Sequence, residues 1–336
     1  MSGQRSTGPT RRTVLGAAAS VMGAAATFGL GVRRARAETY PSRPVKIIVP
    51  FAPGGPTDVM ARIVSTYLGE AIGSSVIVEN KAGAGGNIGM GLVARAEPDG
   101  YTLLITSSAY VVNPGLYAQT PYDPYKDFEP VAELGASPNV ILVGPTLGIN
   151  SLADLLARAK ADPNAFNYAS PGIGTTPHLT GELFKIVGGI QMTHVPYSGA
   201  APAIQAILGG MVPVAFTALP PAHQHIKNGS LKPLAITGVT RWFDLPEVPT
   251  MIELGYKDFV SDTFQGFLAP AKTPAAIIEL LSTKAIAILK TPEIAERLRT
   301  NGFEVVASGP DGMRRRIAEE VPKWRDVVAK AGIKPI

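Results

Sequence analysis

Residues 45–58 read VKIIVPFAPGGPTD, and this stretch decides the fold. The apolar run at 45–49 predicts a buried β-strand, and the Pro- and Gly-rich residues after it predict a turn. Thr57 can cap a helix that continues to about residue 72, because apolar residues recur there at helical spacing. A strand, a turn and a helix in this order are typical of a βα unit.

The same alternation of apolar runs and amphipathic stretches continues along the chain. Further strands are predicted at 76–78, 101–106, 139–143, 167–169, 192–195, 212–216, 231–237 and 264–268. The C-terminal helices are predicted near 274–290, 292–301 and 310–331. Two αβ series before a helical tail indicate an α/β protein with a mostly parallel sheet and two lobes, between which the chain crosses twice. We expect residues 38–138 and 263–336 to form lobe 1, and residues 139–262 to form lobe 2.

The first 37 residues are typical of an export signal. They hold six of the 31 basic residues and no acidic residue, which leaves 25 basic against 26 acidic residues in the remainder. Arg11 and Arg12 resemble a twin-arginine motif, residues 13–32 carry no charge, and Ala35-Arg36-Ala37 is an A-x-A cleavage site. We expect cleavage after Ala37 and a free periplasmic protein exported by the twin-arginine route. An uncleaved membrane anchor is the alternative, because about 20 uncharged residues can span a bilayer.

Charge and cysteine content exclude several classes of function. The chain beyond residue 37 has no excess of basic residues, so we expect no nucleic-acid partner. The absence of cysteine excludes disulfides, thiol catalysis, cysteine-bound metals and a lipoprotein anchor. We expect no cofactor and no bound metal, and a monomeric mature protein.

Four loops at the predicted carboxyl ends of strands are rich in Gly and hydroxyl residues and contain no Lys or Arg. Ligands of open α/β sheets bind beyond these strand ends. Exposed backbone N–H groups and helix N-termini suit a carboxylate without a cationic partner. Ordinary βα turns are the alternative interpretation, but the spread of the loops over both predicted lobes favours a cleft. The candidate contacts are Gly54, Gly55, Thr57, Ser107, Ser108, Ser170, Gly172, Gly174, Thr175, Thr176, His178, Tyr197 and Ser198.

Three other motifs resemble parts of a dinucleotide site, a metal site and a catalytic dyad, but the sequence does not supply the rest of each site. Residues 89–94 match G-x-G-x-x-A by letter, but they lie inside a predicted helix rather than at a strand–helix turn. His223 and His225 have no neighbouring residues to complete a metal site. Ser170 and His178 imitate a catalytic dyad, yet Pro171 follows the serine and no orienting acid is evident. An exported serine hydrolase using Ser170 is therefore the enzymatic alternative, and we expect no catalytic residue.

Ten short motifs occur in order along nearly the whole chain beyond residue 37. They are YPSRP (40–44), IVPFAPGGPTD (48–58), VENKAGAGGNIG (78–89), PDGYTL (98–103), NP (113–114), PYDP (121–124), HLTGELF (178–184), HVPYSG (194–199), LPEVPT (245–250) and AGIKP (331–335). In this arrangement the chain resembles the periplasmic substrate-binding receptors of tripartite tricarboxylate transporters, the Bug-type family. The resemblance implies a two-lobed type II periplasmic-binding-protein fold with two crossover segments. It also implies delivery of a small carboxylate to a membrane permease, whereas a solute sensor for a signalling partner is the alternative use.

The resemblance also assigns positions in the cleft. It implies that the carboxylate is clamped between residues 51–57, which adds Phe51 to the candidates, and residues 170–178. Ser107, Ser108 and Tyr197 would then face the distal end of the ligand. Where the family often has Phe-Asp-Asn, this chain has Phe-Thr-Ala at 216–218. Thr217 therefore joins the candidate ligand contacts. The missing acid favours a plain mono- or dicarboxylate over an amino acid.

Overall fold

The computed structural model describes Gly3 and residues 40–145, 147–163 and 165–335. Apart from Gly3, the predicted export signal and its cleavage site lie outside the described residues. The described strands are β1 (Val45–Val49), β2 (Val76–Asn80), β3 (Thr102–Ser107), β4 (Phe128–Val143), β5 (Asn167–Ser170), β6 (Thr193–Pro196), β7 (Val214–Ala218), β8 (Lys232–Ile236), β9 (Asp262–Pro270) and β10 (Glu304–Ser308).

Helices follow most of these strands. They are α1 (Pro56–Ile72), α2 (Asn87–Ala94), α3 (Ala109–Leu116), α4 (Leu152–Ala161), α5 (Thr176–Gly188), α6 (Ala200–Leu208), α7 (Leu219–Lys227), α8 (Ala275–Leu289), α9 (Pro292–Thr300) and α10 (Pro310–Lys330). None of the helices that the structure describes has the length and apolar character needed to cross a membrane. Thr57 does not cap α1, because the N-cap is Gly55 and Thr57 lies in the first turn.

The long strand β4 joins two halves of a curled, mixed sheet. Its residues 128–138 pair with β9, and its residues 139–143 pair with β7, which sets the strand order β2-β1-β3-β9-β4-β7-β5-β6. Strands β8 and β10 also pair with β4. We call β1–β3, β9, β10 and residues 128–138 the first half, and residues 139–143 with β5–β8 the second half.

The expectation of a mostly parallel sheet is wrong at the centre of the molecule. The outer pairs β1–β2, β1–β3, β5–β6 and β5–β7 are parallel, as the βα units predict. Strands β4 and β9 are antiparallel, because one carries the chain from the first half to the second and the other carries it back. These two strands lie where the sequence predicts the crossings, and the assignment of residues to lobes 1 and 2 stays a prediction.

Helices cover both faces of each half and bury its apolar residues. In the first half, Met60 of α1, Leu281 of α8 and Ile47 of β1 belong to one buried cluster, and Trp324 of α10 lies in the core of the other face. In the second half, Phe184 of α5 is fully buried. Burying one such side chain contributes roughly 1.5–3 kcal/mol, so these layers hold the strand ends in place.

Candidate functional site

A cavity of about 590 Å³ lies between the two halves, beyond the carboxyl ends of β1, β3, β5, β6 and β7. Its walls consist of prolines, glycines, alanines, aromatic residues and hydroxyl residues. Among the described residues, no charged side chain lines it. A ligand in this cavity therefore meets neutral dipoles and apolar surface only.

Three helices begin at the wall of the cavity. Helix α1 of the first half starts at Pro56, and helices α5 and α6 of the second half start at Thr176 and Ala200. The first N–H groups of a helix have no partner inside the helix and carry a partial positive charge. Gly199 precedes α6 with φ 150°, a value that side-chain-bearing residues rarely adopt. The arrangement offers hydrogen-bond donors from both halves to an anion.

The hydroxyl groups of the wall fall into two sets. Thr217 Oγ1 is buried without a hydrogen-bond partner, and the Thr57 hydroxyl makes no hydrogen bond with the described residues. Ser107 Oγ accepts from the N–H of Ala109 at 3.3 Å, which leaves its proton free. Thr175, by contrast, donates to Gly172 O at 2.7 Å, and Thr176 and Thr263 bond each other at 2.6 Å. Of these six hydroxyls, only the first three have protons free for a ligand.

Asp58 holds the turn between β1 and α1. Its carboxylate accepts from the N–H of Gly54 at 2.9 Å, from Asn80 Nδ2 at 2.9 Å and from Arg62 Nε at 2.9 Å. Burial alone would raise the pKa of Asp58, but these hydrogen bonds and the Arg62 charge lower it. The Asp58 carboxylate is therefore ionised, and its hydrogen bonds stabilise the turn. Asp58 does not line the cavity.

Ser170 has a histidine partner, but it is not the one that the sequence predicted. Ser170 Oγ lies 2.7 Å from His194 Nε2, and the His194 ring stacks on Tyr168 and on His178 with centroid distances of 4.8 and 4.2 Å. Burial lowers the pKa of His194 to about 3 and that of His178 to about 4, so both rings are neutral at neutral pH. Ser170 is fully buried and does not line the cavity. The pair therefore packs behind the wall.

Comparisons with known proteins decide the family. The model of the tripartite tricarboxylate transporter family receptor matches residues 60–333. The chain belongs to this family. It is a periplasmic solute-binding receptor of the Bug type, and the predicted family and periplasmic-binding-protein fold are confirmed.

Relatives of the receptor match along nearly their whole length. The receptor is 39% identical to Protein BugT of Bordetella pertussis over 300 residues, which is 89% of this chain and 92% of BugT. Its structure is similar to that of an R. palustris protein with adipate, at 34% identity and a TM-score of 0.85, over 88% of this chain and 100% of that one. The structure is also similar to that of MatC from Rhodopseudomonas palustris with bound malate, at 31% identity and a TM-score of 0.80. The match covers 86% of this chain and 100% of MatC.

The structure brings ten of the predicted contacts together at the cavity of the receptor. They are Phe51, Gly55, Thr57, Ser107, Gly172, Thr175, Thr176, Tyr197, Ser198 and Thr217. The other five, Gly54, Ser108, Ser170, Gly174 and His178, do not line it. Gly54 gives its N–H to Asp58, and Ser108 Oγ accepts the N–H of Phe264 at 2.8 Å. The hydroxyls of Ser108 and Ser170 therefore bond within the protein rather than facing a ligand.

Several lining residues were not predicted. The loop 82–86 comes from a glycine-rich stretch that follows β2, and its composition is the signal that points to it. Tyr117 and Ile173 line the cavity from opposite halves. Thr263 begins the return crossing in β9, where only the folded chain brings it beside Thr176.

The two other motifs also have structural explanations. Residues 89–94 lie within α2, and a methyl group at Gly89 would lie 2.8 Å from Pro50 Cα, so the glycine allows α2 to approach the turn after β1. His223 Nε2 bonds Asp244 Oδ1 at 3.0 Å. Within the described part of the chain, no group of three or more His, Asp or Glu side chains could hold a metal ion.

Proposed function

We propose that the receptor captures a small mono- or dicarboxylate by closure of its two lobes and delivers it to a permease of the tripartite tricarboxylate type. The observation that carries this proposal is the cavity where helix N-termini of both halves meet and where no described side chain brings a charge. A hydrogen bond to a carboxylate contributes roughly 1.5–3 kcal/mol, and a helix end up to ~2 kcal/mol. Several such contacts support micromolar affinity, which corresponds to about −8 kcal/mol.

The composition of the wall favours carboxylates without an amino group. A desolvated ammonium ion requires an anionic partner, and the described lining residues include no carboxylate. Thr217 contributes a neutral hydroxyl from β7 instead. The two solved relatives are described with adipate and with bound malate, both of which are carboxylates without an amino group.

We also propose that the receptor binds its ligand without catalysing a reaction. Ser170 is buried behind the wall, so a substrate in the cavity would not reach its hydroxyl. We further propose export by the twin-arginine route, cleavage after Ala37 and a monomeric mature protein.

Calorimetric titration of the purified receptor with adipate, malate and succinate tests the proposal. We expect micromolar binding of at least one acid, no binding of the corresponding diamides or of aspartate, and no turnover of ester substrates. Binding of the uncharged amides with equal affinity, or hydrolysis that Ser170→Ala abolishes, would overturn it.

Two buried threonines provide a matched pair of variants. Thr217 and Thr106 both lie on strands, and both have a buried Oγ1 without a hydrogen-bond partner, but only Thr217 lines the cavity. Thr217→Val should weaken binding of the carboxylate about tenfold, because one hydrogen bond to a charged group is lost. Thr106→Val should leave the affinity unchanged. Equal effects of both variants would contradict the assignment of Thr217.

A further inference from the structure

Two threonine hydroxyls on the cavity wall lie close enough to share a proton. Thr176 Oγ1 and Thr263 Oγ1 are 2.6 Å apart, and both residues line the cavity while remaining 1% and 7% exposed. At this distance one hydroxyl must donate to the other, since two oxygens with no proton between them repel each other.

Asn139 decides which of the two donates. Thr263 Oγ1 donates to Asn139 Oδ1 at 3.0 Å, and a threonine has only one hydroxyl proton. Thr263 can therefore only accept from Thr176. The proton of Thr176 points to Thr263, and the proton of Thr263 points to Asn139.

The orientation of the Asn139 amide is set by a second pair of hydroxyls. Asn139 Nδ2 donates to Thr180 Oγ1 at 2.9 Å and to Ser261 Oγ at 3.0 Å. Thr180 uses its own proton on Thr176 O at 2.8 Å, so its oxygen can only accept from its other neighbours. Ser261 then donates to Thr180 Oγ1 at 2.8 Å. Each proton of this buried network has one acceptor, and Asn139 Oδ1 faces Thr263.

The hydroxyl pair of Thr176 and Thr263 consequently offers lone pairs and no hydroxyl proton to the cavity. A carboxylate oxygen placed against it would meet two oxygens of like partial charge. A ligand group that donates a hydrogen bond is required there, and an ammonium ion is disfavoured because no described carboxylate lines the cavity. The carboxylate belongs instead beside the hydroxyls of Thr57, Ser107 and Thr217, whose protons are free, and beside the N-terminus of α1.

We infer that the receptor is selective for hydroxy acids, and that Thr176 and Thr263 accept a hydrogen bond from the ligand hydroxyl. The inference rests on the proposed function, since it assumes a carboxylate in this cavity. An acid that lacks the hydroxyl leaves two buried acceptors without a donor, or retains a water between them. We expect it to bind about tenfold more weakly or worse.

Matched acids test the inference by calorimetric titration at neutral pH. The pairs are malate and succinate, lactate and propionate, 3-hydroxybutyrate and butyrate, and mandelate and phenylacetate. In each pair that binds, the hydroxy acid should bind at least about tenfold more tightly. Thr176→Val should reduce this ratio to near one by weakening the hydroxy acid only. Thr237→Val is the control, because Thr237 is buried at the same crossing and hydrogen-bonded to backbone, but it does not line the cavity.

The outcomes separate this inference from the proposed function. A large ratio that disappears in Thr176→Val and persists in Thr237→Val supports it. Equal affinities within the pairs, or a ratio that Thr176→Val leaves intact, overturn the inference but leave carboxylate capture standing. If no acid of the panel binds, the proposed function fails, and the hydroxy-acid inference fails with it.

Discussion

Thr57 and Thr175 occupy similar places in the two halves, but their hydroxyls have different roles. Both lie at the start of a helix and line the cavity. The Thr175 hydroxyl caps α5, where it accepts from the N–H of His178 at 3.4 Å and donates to Gly172 O at 2.7 Å. Thr57 has no such partner among the described residues. One hydroxyl therefore stabilises the fold, and the other is free to bind a ligand.

We predict that Thr175→Ala lowers the free energy of unfolding of the empty receptor by about 1 kcal/mol, which is the usual value of an N-cap. Thr57→Ala should change it by less than about 0.5 kcal/mol and should weaken carboxylate binding at least about tenfold. Urea unfolding and calorimetric titration measure the two quantities. If Thr57→Ala is as destabilising as Thr175→Ala, the hydroxyl of Thr57 serves the fold as well.

Glu133 is a buried carboxylate at the centre of β4. Its Oε1 lies 3.6 Å from Arg316 of α10, which also pairs with Asp262 and Glu320. Burial raises the pKa of Glu133 to about 7, and the opposing effect of Arg316 does not cancel it. The folded receptor thus binds this proton more tightly than the unfolded chain, in which the pKa is 4.5. The resulting stability is fully present below pH 4.5 and is lost as the pH rises to about 7.

We predict that the stability of the receptor relative to Glu133→Gln falls with rising pH, by up to about 1.4 kcal/mol per pH unit between pH 4.5 and 7. Above pH 7 the difference should be constant. His178 and His194 have lowered pKa values and change the stability in the opposite direction, but they do so equally in both proteins. Urea unfolding at steps of half a pH unit measures the difference. A difference that does not depend on pH would show that Glu133 titrates normally.

The loop between β5 and α5 is held in place by the neighbouring strand β6. Ser170 at the end of β5 bonds His194 of β6, and its Oγ also accepts the N–H of Gly172 at 3.1 Å. The carbonyl of Ser170 accepts the N–H of Tyr197 at 3.0 Å. Gly172 and Tyr197 both line the cavity, so this contact fixes two parts of the wall relative to each other.

Two substitutions of His194 separate its hydrogen bond from its ring stacking. His194→Gln can place an amide near the Nε2 position, and we predict affinity for a carboxylate within about threefold of the wild type. His194→Phe keeps the stacking on Tyr168 and His178 but leaves Ser170 Oγ without this partner, which should weaken binding about tenfold. Calorimetric titration and thermal unfolding measure both properties. If affinity follows unfolding stability in both variants, the histidine has a structural role only.

Elements with a local pattern could be predicted from the sequence, and those that depend on distant partners could not. Strand β1 matches its prediction residue for residue, because its apolar run ends at a Pro- and Gly-rich turn. Strand β4 was predicted only from residue 139, since Pro130, Gly135 and Pro138 interrupt its apolar pattern. Strand β10 was missed, because its pairing with β4 is non-local and irregular.

The cavity could be predicted as a set of loops, but the partner of each side chain could not. Glycine and hydroxyl content selected the turns after β1, β3, β5 and β6, and residues of all four line the cavity, because parallel strands bring these ends to one edge. Ser108 and Ser170 have the same composition signal, yet their hydroxyls bond Phe264 and His194 behind the wall. Such partners lie far apart along the chain, so only the packing of the halves distinguishes a supporting hydroxyl from an exposed one.

The two halves contact each other at Gly174, which lies against Asn113. Asn113 of the first half donates to Gly85 O at 3.0 Å and to Asn87 Oδ1 at 2.8 Å, and its own Oδ1 is buried without a hydrogen bond. A methyl group on Gly174 of the second half would lie 2.6 Å from that oxygen. The close approach of the halves therefore requires a residue without a side chain at this position.

We predict that Gly174→Ala disfavours the closed arrangement and weakens carboxylate binding at least about tenfold, because closure would force the methyl group against Asn113. Gly174 also has φ 85°, where an alanine costs roughly 1 kcal/mol, so this strain must be separated from the contact. Gly148→Ala provides that control, since Gly148 has φ 63° and open space around it. X-ray scattering with and without ligand should show contraction in the wild type and in Gly148→Ala, but not in Gly174→Ala. If Gly174→Ala contracts and binds like its control, the halves do not close against Asn113, and ligand capture must depend on the wall residues alone.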